Sequence, residues 1–546
     1  ETNMTLLGAT AIEDSLQEGV PETLRALERA GIRTWILTGD KQETAINIGV
    51  SCGILDHVMN IVVINENSKE DVEAQMDRGI GVWRAMREAM SRDHTHFGLV
   101  IDGHTLQYVL KTDLEKKLVL LGKMCKTVLA CRVSPKQKTE LVEAVRRYET
   151  SKVTMAIGDG ANDVGMIQAA HVGVGIVGLE GVEAKLASDF SCTQFRYLQR
   201  LLLVHGRWNY KRMAIMSLFV IYKSIAIALI EVFYTFYNGL SGQLYVDPLI
   251  VGLYNILLTA VPIVVFAIFD RDVNDVYALE FPEVYRRGQK GYAVGFGAFF
   301  WWILMAIWHS AVSFFVPMIF NFDSPQSSGR LIGMTGPAAV TFLTLLTVVN
   351  LHLASYVSSW NFYTFLVWFF FSTFWFYGGL IFSLPAVSFD AELNPLWLGT
   401  FRQVYASPIA WFLFLMCIVM SLLPVNLKQY VQRIYFPHEK TIVRELMHRK
   451  LRRADVFPKE VERVQPPVLD RRGVSYPLRD VVTFAVDDAG GGLHDRFNPV
   501  IGVMNRHRRL KRTLSDSNLA HTVFTDHTTV SQTKQSMHRR HITVAF

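Results

Sequence analysis

Cysteine is the first scarcity: five in 546 residues. Cys52, Cys125, Cys131, Cys192 and Cys417 show neither the close pairs of a zinc site nor the dense framework of a small secreted domain. A reducing compartment is therefore expected for the first four, while Cys417 sits in an apolar run. A cleavable leader pattern and an initiator Met are also missing, so Glu1 reads as an internal start. Apolar residues are plentiful, at 50% of the chain, but unevenly spread. Residues 1 to about 200 read as soluble α/β, 213 to 427 as largely membrane, and the remainder as polar and basic. From Val425 onward 22 Lys/Arg face 12 Asp/Glu, a local +10 within a formal net charge of +6.

The most informative stretch is Ala156-Ile157-Gly158-Asp159-Gly160-Ala161-Asn162-Asp163-Val164. An apolar strand pattern from Lys152 to Ile157 runs into a glycine-flanked aspartate, and a helix pattern opens behind it. Ligands of open α/β sheets bind beyond the carboxyl ends of the strands, where this turn lies. Gly158 and Gly160 allow a sharp bend and close approach to a phosphate. Asp163 follows Asp159 by four residues, so one helical turn can bring both carboxylates to one point. Paired hard oxygens beside free helix N–H groups suit Mg²⁺ and a phosphoryl group. A bare Gly-Asp-Gly is more often an acidic capped turn; the full six-residue string is far more specific.

Upstream, strand and helix patterns alternate as expected for a parallel sheet with covering helices. Strands are expected at Thr5–Ala9, Thr34–Leu37, Phe97–Asp102 and Thr127–Cys131, and helices at about Pro21–Ala30 and Gln42–Cys52. Thr38-Gly39-Asp40-Lys41 follows the second strand and offers a hydroxyl, a close backbone and a carboxylate to a phosphate or ribose. After Cys131 comes Arg132-Val133-Ser134-Pro135-Lys136-Gln137-Lys138. Ser134 and Gln137 have capping-box spacing with Pro135 at the first helical position, which places Lys138 in a first helical turn. Gly173-Val174-Gly175-Ile176-Val177-Gly178 matches a dinucleotide fingerprint by letter. It lies late in the domain rather than in the first β-turn-α unit, so a tightly packed glycine-rich strand is the expected reading.

Six apolar runs are long enough to span a bilayer: about Met213–Tyr237, Leu249–Phe269, Ala293–Phe320, Ala338–Val357, Phe362–Leu384 and Ile409–Leu423. Arg271, Arg286, Arg287 and Lys290 follow the second run, whereas the links after the first, third and fifth carry few cations. By the positive-inside rule the soluble part and the tail both face the cytosol. Lys223 and Glu231 sit inside the first run, about 12 Å apart on a straight helix, too far for a direct pair. An intramembrane lysine marks either a pathway or a structural contact to neighbouring carbonyls. Asn255, Thr259 and Pro262 make the second run polar and irregular.

These motifs closely resemble the P-type ATPases. Thr38-Gly39-Asp40-Lys41, Arg132-Val133-Ser134-Pro135 with Lys138, and Gly158-Asp159-Gly160-Ala161-Asn162-Asp163 look like the phosphorylation domain of that superfamily. Ala11-Ile12-Glu13-Asp14-Ser15-Leu16-Gln17, Thr38 through Ile48, Phe195 through Arg212, and Ile268-Phe269-Asp270-Arg271-Asp272-Val273 look like its type IV members, the phospholipid flippases. The resemblance implies a haloacid-dehalogenase-like (Rossmann-like) α/β phosphorylation domain over residues 1–195. It further implies an all-α transmembrane domain over 196–435, six spans equivalent to family helices five to ten, and a largely disordered basic tail over 436–546. It implies that Thr38, Gly39, Asp40, Arg132, Lys138, Asn162 and Asp163 contact nucleotide or phosphate, that Asp159 and Asp163 serve Mg²⁺, and that Lys138, Asp159 and Asp163 are catalytic. The cofactors implied are ATP and Mg²⁺. The implied partners are a phospholipid substrate, the membrane and a two-span glycosylated accessory subunit, with no nucleic acid. The implied setting is a Golgi/endosomal or plasma membrane.

Departures from the family pattern sharpen the expectation. No Asp-Lys-Thr-Gly occurs among the 546 residues, so the aspartyl-phosphate nucleophile is expected outside them, and this chain alone is expected to be inactive. Ser224 stands where the family usually has Asn, Ile263 where a second proline is usual, and Leu179 where glutamine is usual. Lys223, Ser224, Asn255 and Thr259 are candidates for a lipid path. A cation pump would want several carboxylates on the first two spans, and only Glu231 is present. A copper or zinc pump would want more than Cys417. A catalytically inactive membrane scaffold is the alternative that the missing nucleophile keeps open. The run Arg506-His507-Arg508-Arg509-Leu510-Lys511-Arg512, followed by Thr513 and Ser515, suits a regulatory arm that binds anionic lipid.

Overall fold

A computed structural model of the chain describes residues 16–56, 59–89, 97–177, 182–289, 291, 293–321, 333–371, 400–449 and 543–545. The expected strand at Thr5–Ala9, the fifth expected span beyond residue 371, Leu179 and nearly all of the tail lie outside these residues.

The α/β part is organised by strands β1 (Thr34–Leu37), β2 (Asn60–Ile64), β3 (Phe97–Asp102), β4 (Thr127–Cys131), β5 (Met155–Gly158), β6 (Val172–Ile176) and β7 (Phe190–Cys192). With β8 (Thr543–Ala545) they form one sheet in the order β2-β3-β4-β1-β8-β5-β6-β7. Every neighbouring pair that excludes β8 is parallel. β8 runs antiparallel to both of its neighbours. A parallel sheet is covered on both faces, so its inner strands are apolar; β4 is buried at all five positions, whereas the edge strands β2 and β7 are partly exposed. The two-residue period sorts its side chains between two cores. Leu37, Leu99, Ile101, Val128 and Ala130 join the first core. Ile36, Val100, Leu129 and Cys131 join the second.

The local predictions at β1, β3 and β4 match residue for residue, and the first two helices, Val20–Arg29 and Gln42–Ser51, match to within a residue. β2 and the helix Lys69–Ala89 were not anticipated. Gly173 to Ile176 of the Gly-x-Gly-x-x-Gly stretch lie in β6, the late strand beside β5, where a Cβ on Gly173 would lie 2.6 Å from Ile167. That is the close packing expected in place of a dinucleotide turn.

Among the described residues five helices are long and apolar enough to cross a membrane: Tyr197–Tyr237, Ile250–Phe269, Phe296–Phe320, Thr335–Ala354 and Pro408–Ile434. A shorter apolar helix, Phe362–Phe371, begins where the fifth expected span does. The spans pack around a shared core that includes Phe219, Tyr254, Phe314 and Phe342. The second span is irregular, as anticipated, with a π-helical stretch at Tyr254–Leu258. Glu231 is bound to neither Lys223 nor a cation cluster; its carboxylate accepts the backbone N–H groups of Tyr245 at 2.9 Å and Val246 at 3.0 Å. It clamps the loop that follows the first span.

Candidate functional site

The carboxyl ends of β4, β1 and β5 lie along one edge of the sheet, and each opens into one of the motif loops. Backbone bonds stitch the first two together. Thr38 N–H donates to Ala130 C=O at 2.9 Å, Arg132 N–H to Asp40 C=O at 2.9 Å, and Val133 N–H to Thr38 C=O at 3.0 Å. Within the loop the Thr38 hydroxyl donates to Asp40 Oδ2 at 3.0 Å and accepts the Asp40 N–H at 3.2 Å. Gly39 has nothing within 4 Å of a notional Cβ, so this turn presents bare backbone outward.

The capping box forms as predicted: Ser134 Oγ accepts the Gln137 N–H while the Gln137 side chain accepts the Ser134 N–H. The helix Pro135–Tyr148 so begun carries Lys138 inward, where its Nζ lies 2.9 Å from Asp163 Oδ1. Both residues are buried, at 8% and 2% exposure. A charge is tolerated at such depth only when it is paired. Gly158 makes the pairing possible: a Cβ there would stand 2.3 Å from the Cβ of Asp163. Asp159 is half-buried and Asn162 exposed, so this turn has a wet rim above a buried charged floor.

The chemistry of this donor set suits Mg²⁺. Among the described residues no group of three or more His, Cys, Asp or Glu is placed to hold a metal. A hard, strongly hydrated dication is commonly held by one or two carboxylates plus water and substrate phosphates. The narrow cradle at Gly158 brings Asp163 close beneath the turn that carries Asp159.

Two features of this edge escaped the sequence reading. Arg132 adopts a left-handed backbone, φ 51°, unusual for a non-glycine residue. Asp102 at the end of β3 also reaches the edge, with its Oδ2 3.6 Å from Arg132 Nη1. A strand-ending aspartate before a glycine was the available signal.

In the membrane part, Lys223 Nζ donates to Asn255 C=O at 2.9 Å and to Thr259 Oγ1 at 2.8 Å. The Thr259 hydroxyl in turn donates to Tyr254 C=O at 2.6 Å, and Tyr254 OH donates to Lys223 C=O at 3.0 Å. A π-helical stretch leaves carbonyls without their usual partners, and Lys223 and Thr259 fill them. Ser224 is not brought to this group: it is exposed and its hydroxyl bonds back to Val220 C=O at 3.0 Å. A charged cluster at the ends of the membrane helices was also missed. Asp272 takes Arg207 in a two-point pair at 2.9 and 2.7 Å, and Asp270 accepts Lys211 Nζ at 2.9 Å and the N–H groups of Ser358 at 2.6 Å and Ser359 at 3.0 Å. Burial alone would raise the Asp272 carboxyl, but Arg207, Lys211 and Lys440 override it and hold it well below the usual carboxylate range.

Residues 185–438 match the family described as phospholipid-translocating P-type ATPase, C-terminal. The chain is 39% identical over 455 residues to a phospholipid-transporting ATPase of Schizosaccharomyces pombe, covering 82% of this chain and 35% of the relative. It is 37% identical over 455 residues to phospholipid-transporting ATPase DRS2 of Saccharomyces cerevisiae, covering 82% and 33%. With phospholipid-transporting ATPase ID of Homo sapiens the identity is 37% over 449 residues, covering 78% and 37%. The chain therefore spans about a third of the length of the relatives it matches.

Proposed function

We propose, from the premise that this chain is a C-terminal part of a type IV P-type ATPase, that the complete protein is an ATP-driven phospholipid flippase working through an aspartyl-phosphate. The observation that carries the reading is the buried Lys138–Asp163 pair beneath Asp159, at the same sheet edge as the Thr38-Gly39-Asp40 loop. Phosphoryl transfer needs charge neutralisation and positioning above all. Asp159 and Asp163 would hold Mg²⁺, which when bound supplies the charge that lets a carboxylate approach a phosphate. Lys138 orients Asp163 from below and adds a cation to the floor. The Thr38-Gly39-Asp40 backbone and Arg132 face outward, where a nucleotide is received, and Asn162 lines the same rim.

The strand between β1 and β5 supports a nucleophile supplied by another segment. β8 lies there against the direction of the other seven. A strand running parallel in that place would end between Thr38 and Asp159, where an attacking carboxylate is required. The division into a haloacid-dehalogenase-like domain (1–195), six spans (196–435) and a cytosolic regulatory tail (436–546) belongs to the same proposal, as does the two-span accessory subunit. Lys223 with Asn255 and Thr259 is the candidate polar route for a head group. The engagement of Glu231 by two backbone N–H groups disfavours a cation pump.

The test is Mg²⁺-dependent ATP hydrolysis and lipid transport by the complete protein in vesicles. Asp159→Asn and Asp163→Ala should each abolish turnover. Turnover by Asp163→Ala at the wild-type rate would refute the site.

A further inference from the structure

Arg132 is an exposed cation at the rim of the site, yet its backbone is held from three directions. Its φ of 51° lies in the left-handed region, which is strained for a non-glycine residue. Its N–H is bound by Asp40 C=O. Its carbonyl packs directly on Gly103, where a Cβ would stand 2.1 Å from Arg132 O, nearer than any side chain permits. Gly103 is itself fixed, because Gln137 Nε2 donates to its carbonyl at 2.6 Å. Finally Asp102 splits its carboxylate between two tasks. Oδ1 accepts the His104 N–H at 3.3 Å and caps the helix Gly103–Val109, while Oδ2 faces the Arg132 guanidinium at 3.6 Å. The Arg132 side chain is 56% exposed and that of Asp102 only 14%, so the carboxylate is the anchored partner and the guanidinium the presented one.

We propose that Asp102 and Gly103 are positioning residues for nucleotide binding. They aim the Arg132 guanidinium across the rim at a polyanionic nucleotide received by the Thr38-Gly39-Asp40 loop. Such strain persists where the surroundings over-determine it, and it pre-organises a group that would otherwise lose side-chain entropy on binding. This inference rests on the ATPase reading above.

The experiment is steady-state ATP hydrolysis by the complete protein, comparing wild type with Asp102→Asn, Arg132→Gln and the double variant. Asn caps a helix about as well as Asp, so Asp102→Asn keeps the helix start and removes only the charge facing Arg132. The expected result is a KM for ATP raised about fivefold to tenfold with kcat lowered less than twofold. In the Arg132→Gln background, Asp102→Asn should add nothing further, because its effect is routed through that one side chain. An unchanged KM in Asp102→Asn, a loss confined to kcat, or full additivity in the double variant would each overturn the proposal. Should Asp102→Asn fail to fold, Asp102→Ser, which also caps a helix without carrying a charge, reports the same arm, with the same KM rise expected and an unchanged KM refuting it. Failure of the underlying reading would look different: the wild-type complete protein would hydrolyse no ATP, or Asp163→Ala would hydrolyse it normally.

Discussion

Gly158 and Gly160 flank the same aspartate, yet alanine at the two positions should have opposite consequences. At Gly158 a new Cβ would lie 2.3 Å from the Cβ of Asp163 and 2.7 Å from its Oδ2. Carbon atoms in contact ordinarily sit about 3.5–4.0 Å apart, so Asp163 would have to retreat by more than about 1 Å. Its bond to Lys138, now 2.9 Å, would then stretch past hydrogen-bonding range with both charges still buried. Overpacking of this kind costs about 1–3 kcal/mol, and parting a buried pair adds a cost of similar size. The reduced freedom of the unfolded chain returns only about 0.4–1 kcal/mol. The net expectation is a loss of about 2–4 kcal/mol for Gly158→Ala. Gly160 has φ −118° and nothing within 4 Å, so Gly160→Ala should leave stability unchanged or raise it slightly. Hydrogen exchange followed by mass spectrometry over residues 155–163 reads the difference directly. Since about 1.4 kcal/mol is a factor of ten, Gly158→Ala should speed exchange there by roughly 30- to 700-fold, and Gly160→Ala by less than about threefold. Equal protection in the two variants would refute the cradle argument.

Asp272→Asn should lower the thermal midpoint of the chain in detergent at neutral pH, because a buried two-point pair with Arg207 is broken at a cost of about 3–5 kcal/mol. A carboxylate with a depressed folded pKa contributes stability that is complete above its unfolded value, about 3.9, and is lost as pH falls toward the folded one. The gap between wild type and variant should therefore begin to close below about pH 4, and a gap constant from pH 6 to pH 3 would refute the assignment. Burial, reinforced by Asp102, pushes the Cys131 thiol up to about 12, so iodoacetamide at pH 8 should leave it unmodified in the folded chain and label it in denaturant. Rapid labelling of the folded chain would contradict its burial at the carboxyl end of β4. Lys223→Ala should depress lipid-stimulated ATP hydrolysis of the complete protein more than its phosphorylation by ATP, since the proposed nucleotide site lies on the sheet and not on the membrane helices. Unchanged lipid stimulation would assign Lys223 to holding the π-helical stretch alone.

Much of the architecture was legible because the deciding signals are local. β4 could be bounded from its continuous apolar run, and the helix after it from Ser134, Pro135 and Gln137, because a capping box is satisfied within four residues. Apolar length located the membrane helices for a similar reason: a bilayer core imposes a minimum span that the chain must meet by itself. Gly-Asp-Gly-Ala-Asn-Asp marked a candidate phosphate site through its residue types. Sequence could not say which of its glycines is obligatory, because that depends on Asp163 folding back under the turn to meet Lys138, 25 residues away. Nor could it pair Asp102 with Arg132, whose contact exists only once β3 and β4 lie side by side. Lys223 and Glu231 drew attention as charges in an apolar run, but their partners come from the second span and from the loop after the first. A charge advertises itself in the chain; the group that neutralises it is chosen by packing, since burial makes a partner mandatory without specifying from which element it must come.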